Sequence, residues 1–163
     1  MLVATENGTI YRNDAALAAT DKTTWSSVKP RDGWVSSVTF DPVGSNVAYA
    51  TYAGFGGTHV WKSTNAGATW TPLDGSGDGT LPDVPAHSLA VDGTTLYLGT
   101  DVGLFVSRDG GEQWAADTTF PHAITERLVL SDSPRGRALF AFTHGRGAWR
   151  VDLTPVPRRR AVR

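Results

Sequence analysis

Three aromatic-centred segments recur at one interval: Val60-Trp61-Lys62, Leu104-Phe105-Val106 and Ala148-Trp149-Arg150, with their central residues 44 apart each time. Tyr11 joins the series 50 residues before Trp61, and Trp25, Trp70 and Trp114 form a second series at 45 and 44. About ten residues upstream of the first set lie Ala48-Tyr49-Ala50-Thr51, Leu96-Tyr97-Leu98-Gly99-Thr100 and Leu139-Phe140-Ala141-Phe142-Thr143, with Leu2-Val3-Ala4-Thr5 as their counterpart at the start. Ahead of these stand Val38-Thr39-Phe40-Asp41, Leu89-Ala90-Val91-Asp92 and Leu128-Val129-Leu130-Ser131. Each repeat therefore offers four short strand-like segments, A to D, in roughly 44 residues, the size of one propeller blade. A lone four-stranded meander cannot bury both faces, so it must stack on copies of itself around an axis.

The expected fold is all-β: a β-propeller segment of three to four four-stranded antiparallel blades. The repeats run at about 1–29, 33–75, 81–118 and 120–153, and residues 154–163 form a Pro/Arg-rich tail. The first repeat shows no A segment and the last no D segment, which predicts strands in groups of three, four, four and three. Eighteen glycines and nine prolines spread between short β-branched and aromatic runs suit many tight turns. The Ala15–Ala19 stretch has good helix formers but is too short to stand alone as a helix.

The turn between C and D is the most specific local signal. Ser63-Thr64-Asn65-Ala66-Gly67-Ala68-Thr69-Trp70 and Ser107-Arg108-Asp109-Gly110-Gly111-Glu112-Gln113-Trp114 share the pattern Ser-x-Asp/Asn-x-Gly-x-x-Trp. An Asn or Asp side chain accepts N–H groups of its own turn, and Gly supplies the positive φ that closes it. The pattern resembles the Asp box, or BNR repeat, of sialidases, family 74 xyloglucanases, sortilin-type receptors and photosystem assembly propellers. The first repeat departs from it, because Asn13-Asp14 and Trp25 bracket an insertion at 15–20. The resemblance implies that Ser63, Asn65, Gly67, Trp70, Ser107, Asp109, Gly111 and Trp114 are structural, with both tryptophans in the layer between blades. It also implies an extracellular or periplasmic setting, although Met1-Leu2-Val3-Ala4-Thr5-Glu6 does not read as a signal peptide.

In such a propeller the Asp boxes mark one face, and function is sought on the other, where the B–C and D–A loops emerge. The B–C loops are read at 6–8, 52–59, 101–103 and 144–147, and the D–A loops include 29–34, 71–87 and 115–126. Trp34, Tyr52 and Phe55 suit stacking on sugar rings, and equally suit capping the blade core. Asp32, Asp83, Asp101, His144 and Arg146 suit hydrogen bonds to hydroxyls, while Asp101 alternatively stabilises its own turn. The segment His144-Gly145-Arg146-Gly147 resembles one common in this repeat family, where it reads as a structural turn.

Catalysis finds less support. The Phe-Arg-Ile-Pro segment carrying a sialidase's first arginine is absent, and an inverting pair of carboxylates is not evident. The four histidines lack metal-ligand spacing, and no cofactor or metal is expected. A formal net charge of −1 gives no electrostatic footprint for nucleic acid or a membrane surface, and no apolar run approaches the ~20 residues that span a bilayer. Two readings stand open. One is a non-catalytic binding or scaffold propeller that recognises glycan or protein through its loop face. The other is a fragment of a glycoside hydrolase whose catalytic residues lie largely elsewhere. Since the family's propellers close with more blades, the chain is expected to be part of a larger propeller or to self-associate through its terminal blades.

Overall fold

The computed structural model describes residues 1–44, 46–134 and 136–153, so the tail expected at 154–163 lies outside the described residues. Among the described residues, fourteen strands form four separate antiparallel meanders of three, four, four and three strands, as the repeat predicts. Blade 1 contains β1 (Leu2–Ala4), β2 (Ile10–Arg12) and β3 (Ser26–Val28). Blade 2 contains β4 (Val35–Phe40), β5 (Ala48–Tyr52), β6 (Val60–Ser63) and β7 (Thr71–Pro72). Blade 3 contains β8 (Ala86–Asp92), β9 (Thr95–Thr100), β10 (Gly103–Ser107) and β11 (Ala115–Ala116). Blade 4 contains β12 (Thr125–Ser133), β13 (Gly136–Thr143) and β14 (Gly147–Asp152). The chain is a segment of β-propeller.

The A strands β4, β8 and β12 lie against one another or the B strand of the preceding blade, which places them on the axis side. Period-two alternation then gives each blade two apolar faces. The row Val38–Ala50–Trp61 faces blade 1, and Leu89–Leu98–Phe105 faces blade 2. Leu128–Ala141–Trp149 faces blade 3. Three clusters fill the junctions. Ile10, Val35, Ala50 and Tyr52 join blades 1 and 2; Tyr49, Val60, Leu89, Leu96, Leu98, Phe105 and Trp114 join blades 2 and 3; Ala90, Leu104, Leu128 and Leu139 join blades 3 and 4.

The two C–D turns are stapled alike. Ser63 Oγ accepts Gly67 N–H at 2.8 Å, and Asn65 Oδ1 accepts Thr69 N–H at 2.8 Å. Ser107 Oγ accepts Gly111 N–H at 2.8 Å and Asp109 Oδ1 accepts Gln113 N–H at 3.0 Å. Gly67 and Gly111 hold φ of 89° and 103°, which a side chain would strain. Hydrogen bonds from Ser107 and Gln113 hold the Asp109 carboxyl below the usual carboxylate range. The tryptophans behave differently from one another. Trp114 is 5% exposed and donates Nε1–H to Leu73 O across the junction, whereas Trp70 is only half-buried and bonds Gly67 O of its own turn. Both lie between blades as the resemblance implies: Trp114 in the blade 2–blade 3 cluster, where Leu73 and Leu81 of the 73–85 connection pack with it, and Trp70 against the blade 1–blade 2 cluster. In blade 1 the insertion at the box position forms a single 3-10 turn, Ala16–Ala18.

Candidate functional site

Opposite the staples, one backbone device repeats on three blades. Each A strand opens with a bulge that leaves Ser36, His87 or Glu126 unpaired. Just before it, Trp34 O, Pro85 O and Ile124 O accept N–H from Ala53, Asp101 and His144, at 3.0, 3.1 and 2.8 Å. Bulges commonly re-aim a side chain at a rim or a site. Here the same scaffold presents different chemistry on each blade. On blade 3, His87 Nε2 lies 2.6 Å from Asp101 Oδ1; on blade 4, His144 Nδ1 lies 3.4 Å from Glu126 Oε1. On blade 2 the bulged Ser36 turns inward, its hydroxyl donating to Ala86 O of blade 3 at 2.6 Å.

Blade 2 carries the aromatic part of this face. Trp34 is 57% exposed and Phe55 66% exposed. The loops bearing them are tied together by Arg31, whose guanidinium donates to Phe55 O at 3.1 Å, Thr58 O at 2.9 Å and Asp32 O at 2.9 Å. From the other side, Asp83 Oδ1 accepts Gly56 N–H at 2.8 Å. Asp74 accepts N–H from His59 and Val60 at 2.8 and 2.7 Å, fixing the loop's return into β6. Five charge-assisted contacts to backbone groups hold an otherwise glycine-rich loop, so the aromatics sit on a fixed platform.

Tyr52 does not belong to that platform. It is 0% exposed, inside the blade 1–blade 2 junction, and its hydroxyl donates to Gly8 O at 3.2 Å. Burial pushes its phenol up to about 12, and with no accessible ring face it cannot stack on a ligand. The remaining expected residues lie on the loop face. Asp101 is partly exposed and paired with His87; His144 and Arg146 are exposed, and Arg146 O accepts Trp149 Nε1–H at 3.1 Å. Asp32 is ion-paired with Lys29, and Asp83 is spent on the 56–59 loop. Sequence reasoning missed Arg31, Asp74 and the bulged His87 and Glu126. The clamps lack a sequence signal, but the bulges sit at one position in the three repeats that carry an A strand, where the unpaired residue is polar each time.

Beneath the platform lies His59, 2% exposed. Its Nδ1 donates to Gly57 O at 2.9 Å, which leaves Nε2 facing Asp83 Oδ1 at 3.1 Å without hydrogen-bond geometry. Burial holds the imidazole below its ordinary value, Asp74 and Asp83 pull the other way, and Arg31 adds to the lowering. A depressed histidine contributes stability above its unfolded value of about 6.5 that is lost as pH falls through the folded one. The melting temperature is therefore expected to drop as pH falls below about 6.5, and less steeply in His59→Gln. Identical profiles for the two proteins would remove His59 as the cause.

No protein-family model matches the chain. It is 37% identical over 94 residues to a xyloglucanase of Hypocrea jecorina (strain QM6a), a match covering 53% of this chain and 11% of that protein. Among solved structures, YCF48 bound to D1 peptide is similar with a TM-score of 0.59 at 18% identity, covering 95% of this chain and 48% of that one. The GH74 enzyme of Niastella koreensis gives 0.58 at 19% identity, covering 96% and 28%. The GH74 xyloglucanase of Xanthomonas campestris gives 0.55 at 18%, covering 82% and 25%. The chain thus spans about half the length of the first of these structures and less of the other proteins. The structural likenesses show the fold, that of β-propeller blades.

Proposed function

We propose that this chain is a recognition segment of a propeller that binds a glycan chain on its loop face, and that the staple turns are Asp boxes. The observation that carries the reading is the pair of exposed aromatics, Trp34 and Phe55, on loops locked by Arg31 and Asp83. Exposed aromatic rings cost little where a sugar ring covers them, and a preorganised platform spares the ligand the cost of ordering the loops. Asp101, His87, His144 and Arg146 border the same face and suit hydrogen bonds to sugar hydroxyls. A β-glucan backbone is the first ligand to test, given the resemblance to a xyloglucanase.

Calorimetric titration with xyloglucan oligosaccharides is expected to show binding that Trp34→Ala or Phe55→Ala each weakens at least tenfold, about 1.4 kcal/mol. No binding by the unaltered chain, or full affinity in both variants, would sink the reading.

The xyloglucanase match also favours a second reading, a piece of a glycoside hydrolase whose acid and base lie mostly outside these residues. On either reading the isolated chain should hydrolyse neither xyloglucan nor fluorogenic sialosides. Turnover that disappears in Asp101→Asn or Arg146→Ala would instead make this face catalytic.

A further inference from the structure

We propose that His59 is a proton-operated latch beneath the Phe55 loop, holding the loop closed when the ring is neutral and releasing it when the ring is protonated. Control of ligand binding by this latch rests on the glycan reading of the face, whereas the latch itself does not. The loop is Ala53-Gly54-Phe55-Gly56-Gly57-Thr58, and Gly56 and Gly57 hold φ of 72° and 119°. A Cβ on Gly56 would meet nothing within 4 Å, so local packing does not fix the chain beside Phe55. Side-chain clamps fix it instead. Arg31 donates to Phe55 O and Thr58 O, and Asp83 Oδ1 accepts Gly56 N–H at 2.8 Å.

The His59 ring lies under these clamps with one nitrogen unanswered. Gly57 O can only accept, so the 2.9 Å contact places the neutral ring's proton on Nδ1. Nε2 is then a bare, buried acceptor 3.1 Å from Asp83 Oδ1, the same oxygen that holds Gly56. The charged groups that face the ring are Asp74 and Asp83 of the 73–85 connection and Arg31 of the 29–34 loop. Asp74 cannot answer a proton at Nε2. It lies 3.8 Å from Nδ1, on the other side of the ring, and its oxygens accept the His59 and Val60 N–H groups. Arg31 is a cation and opposes the new charge. Asp83 is left as the partner, and a buried imidazolium requires one. The present contact lacks hydrogen-bond geometry, so Asp83, with its side chain 59% exposed, must re-aim to make the bond. Re-aiming takes Oδ1 out of line with Gly56 N–H. Proton uptake therefore loosens the loop from two sides, through Asp83 and through repulsion of Arg31, and Phe55 loses its fixed seat.

NMR of the 163-residue chain reads both ends of the latch. From about pH 7.5 to about pH 5, Gly56 amide exchange, corrected for its intrinsic pH dependence, should lose about threefold or more of its protection, with the midpoint of the His59 ring titration. His59→Gln should keep Gly56 protected throughout. Asp83→Ala, a change at an exposed side chain, should leave it unprotected at every pH. Affinity for xyloglucan oligosaccharides should fall about threefold or more over the same range in the unaltered chain and stay level in His59→Gln. Protection that is lost equally in His59→Gln, or that persists while the His59 ring titrates, would overturn the latch. A ring that stays neutral until the chain unfolds would overturn it as well. Affinity that ignores pH while Gly56 opens would overturn the control of binding. Absence of glycan binding at every pH would instead sink the glycan reading, and the Gly56 result would still decide the latch.

Discussion

Trp114→Ala is expected to destabilise the protein by about 3–5 kcal/mol, the usual loss for a buried tryptophan. The indole sits in the largest cluster with Leu81, Leu96, Leu98 and Phe105, and its Nε1–H satisfies Leu73 O. Truncation therefore opens a cavity and orphans a carbonyl in the same place. Trp70→Ala, at the same repeat position, is expected to cost about half as much, since that ring is half-buried and its hydrogen bond closes only its own turn. Denaturant melts of both variants decide the matter. Equal losses would mean that the 73–85 connection does not contribute to the blade 2–blade 3 junction.

That asymmetry marks where the sequence stops being informative. Strand number and strand order follow from spacing alone, because a period of about 44 residues with aromatics in phase admits few packings other than stacked meanders. The staple hydrogen bonds were equally legible, since Ser, Asn or Asp and Gly at fixed offsets can satisfy one another without help from the rest of the chain. The depth of each tryptophan was not legible. It depends on which loop from the neighbouring blade lies over it, and the D–A connections 29–34 and 73–85 differ in length without any pattern that announces a lid.

The candidate site divides in the same way. Trp34 and Phe55 were found as aromatics flanking strands, and both are exposed. Tyr52 carried the same signal two residues from Ala50, yet strand β5 runs through it and buries it against Val35 and Ile10. An aromatic at the end of an alternating run faces the core or the solvent depending on whether the strand continues one residue further. Arg31 reads in sequence as one more loop charge. Its value lies in three carbonyls brought within 2.9–3.1 Å by two separate loops, an arrangement that only the folded chain specifies.

Gly99→Val is expected to cost about 3 kcal/mol, at the upper end for overpacking, because the obstruction is backbone. A Cβ at this position would stand 2.5 Å from Thr125 O and 2.9 Å from Thr125 Cγ2, and Thr125 itself is fully buried. Strand β9 tolerates a β-branched residue well, so the penalty cannot come from local propensity. It must come from pushing strand β12 away from blade 3. That movement would also strain the Leu128 N–H bond to Ser88 Oγ, 3.1 Å long, which ties the same two blades further along. Gly54→Ala serves as the control, since its Cβ would meet Arg31 Nη2 at an ordinary 3.9 Å and should change stability by less than about 0.5 kcal/mol. The readout is the denaturant midpoint of each variant, with amide exchange in β12 and β13 showing whether blade 4 loosens first. A near-neutral Gly99→Val would mean that blades 3 and 4 can separate without cost at this crossing.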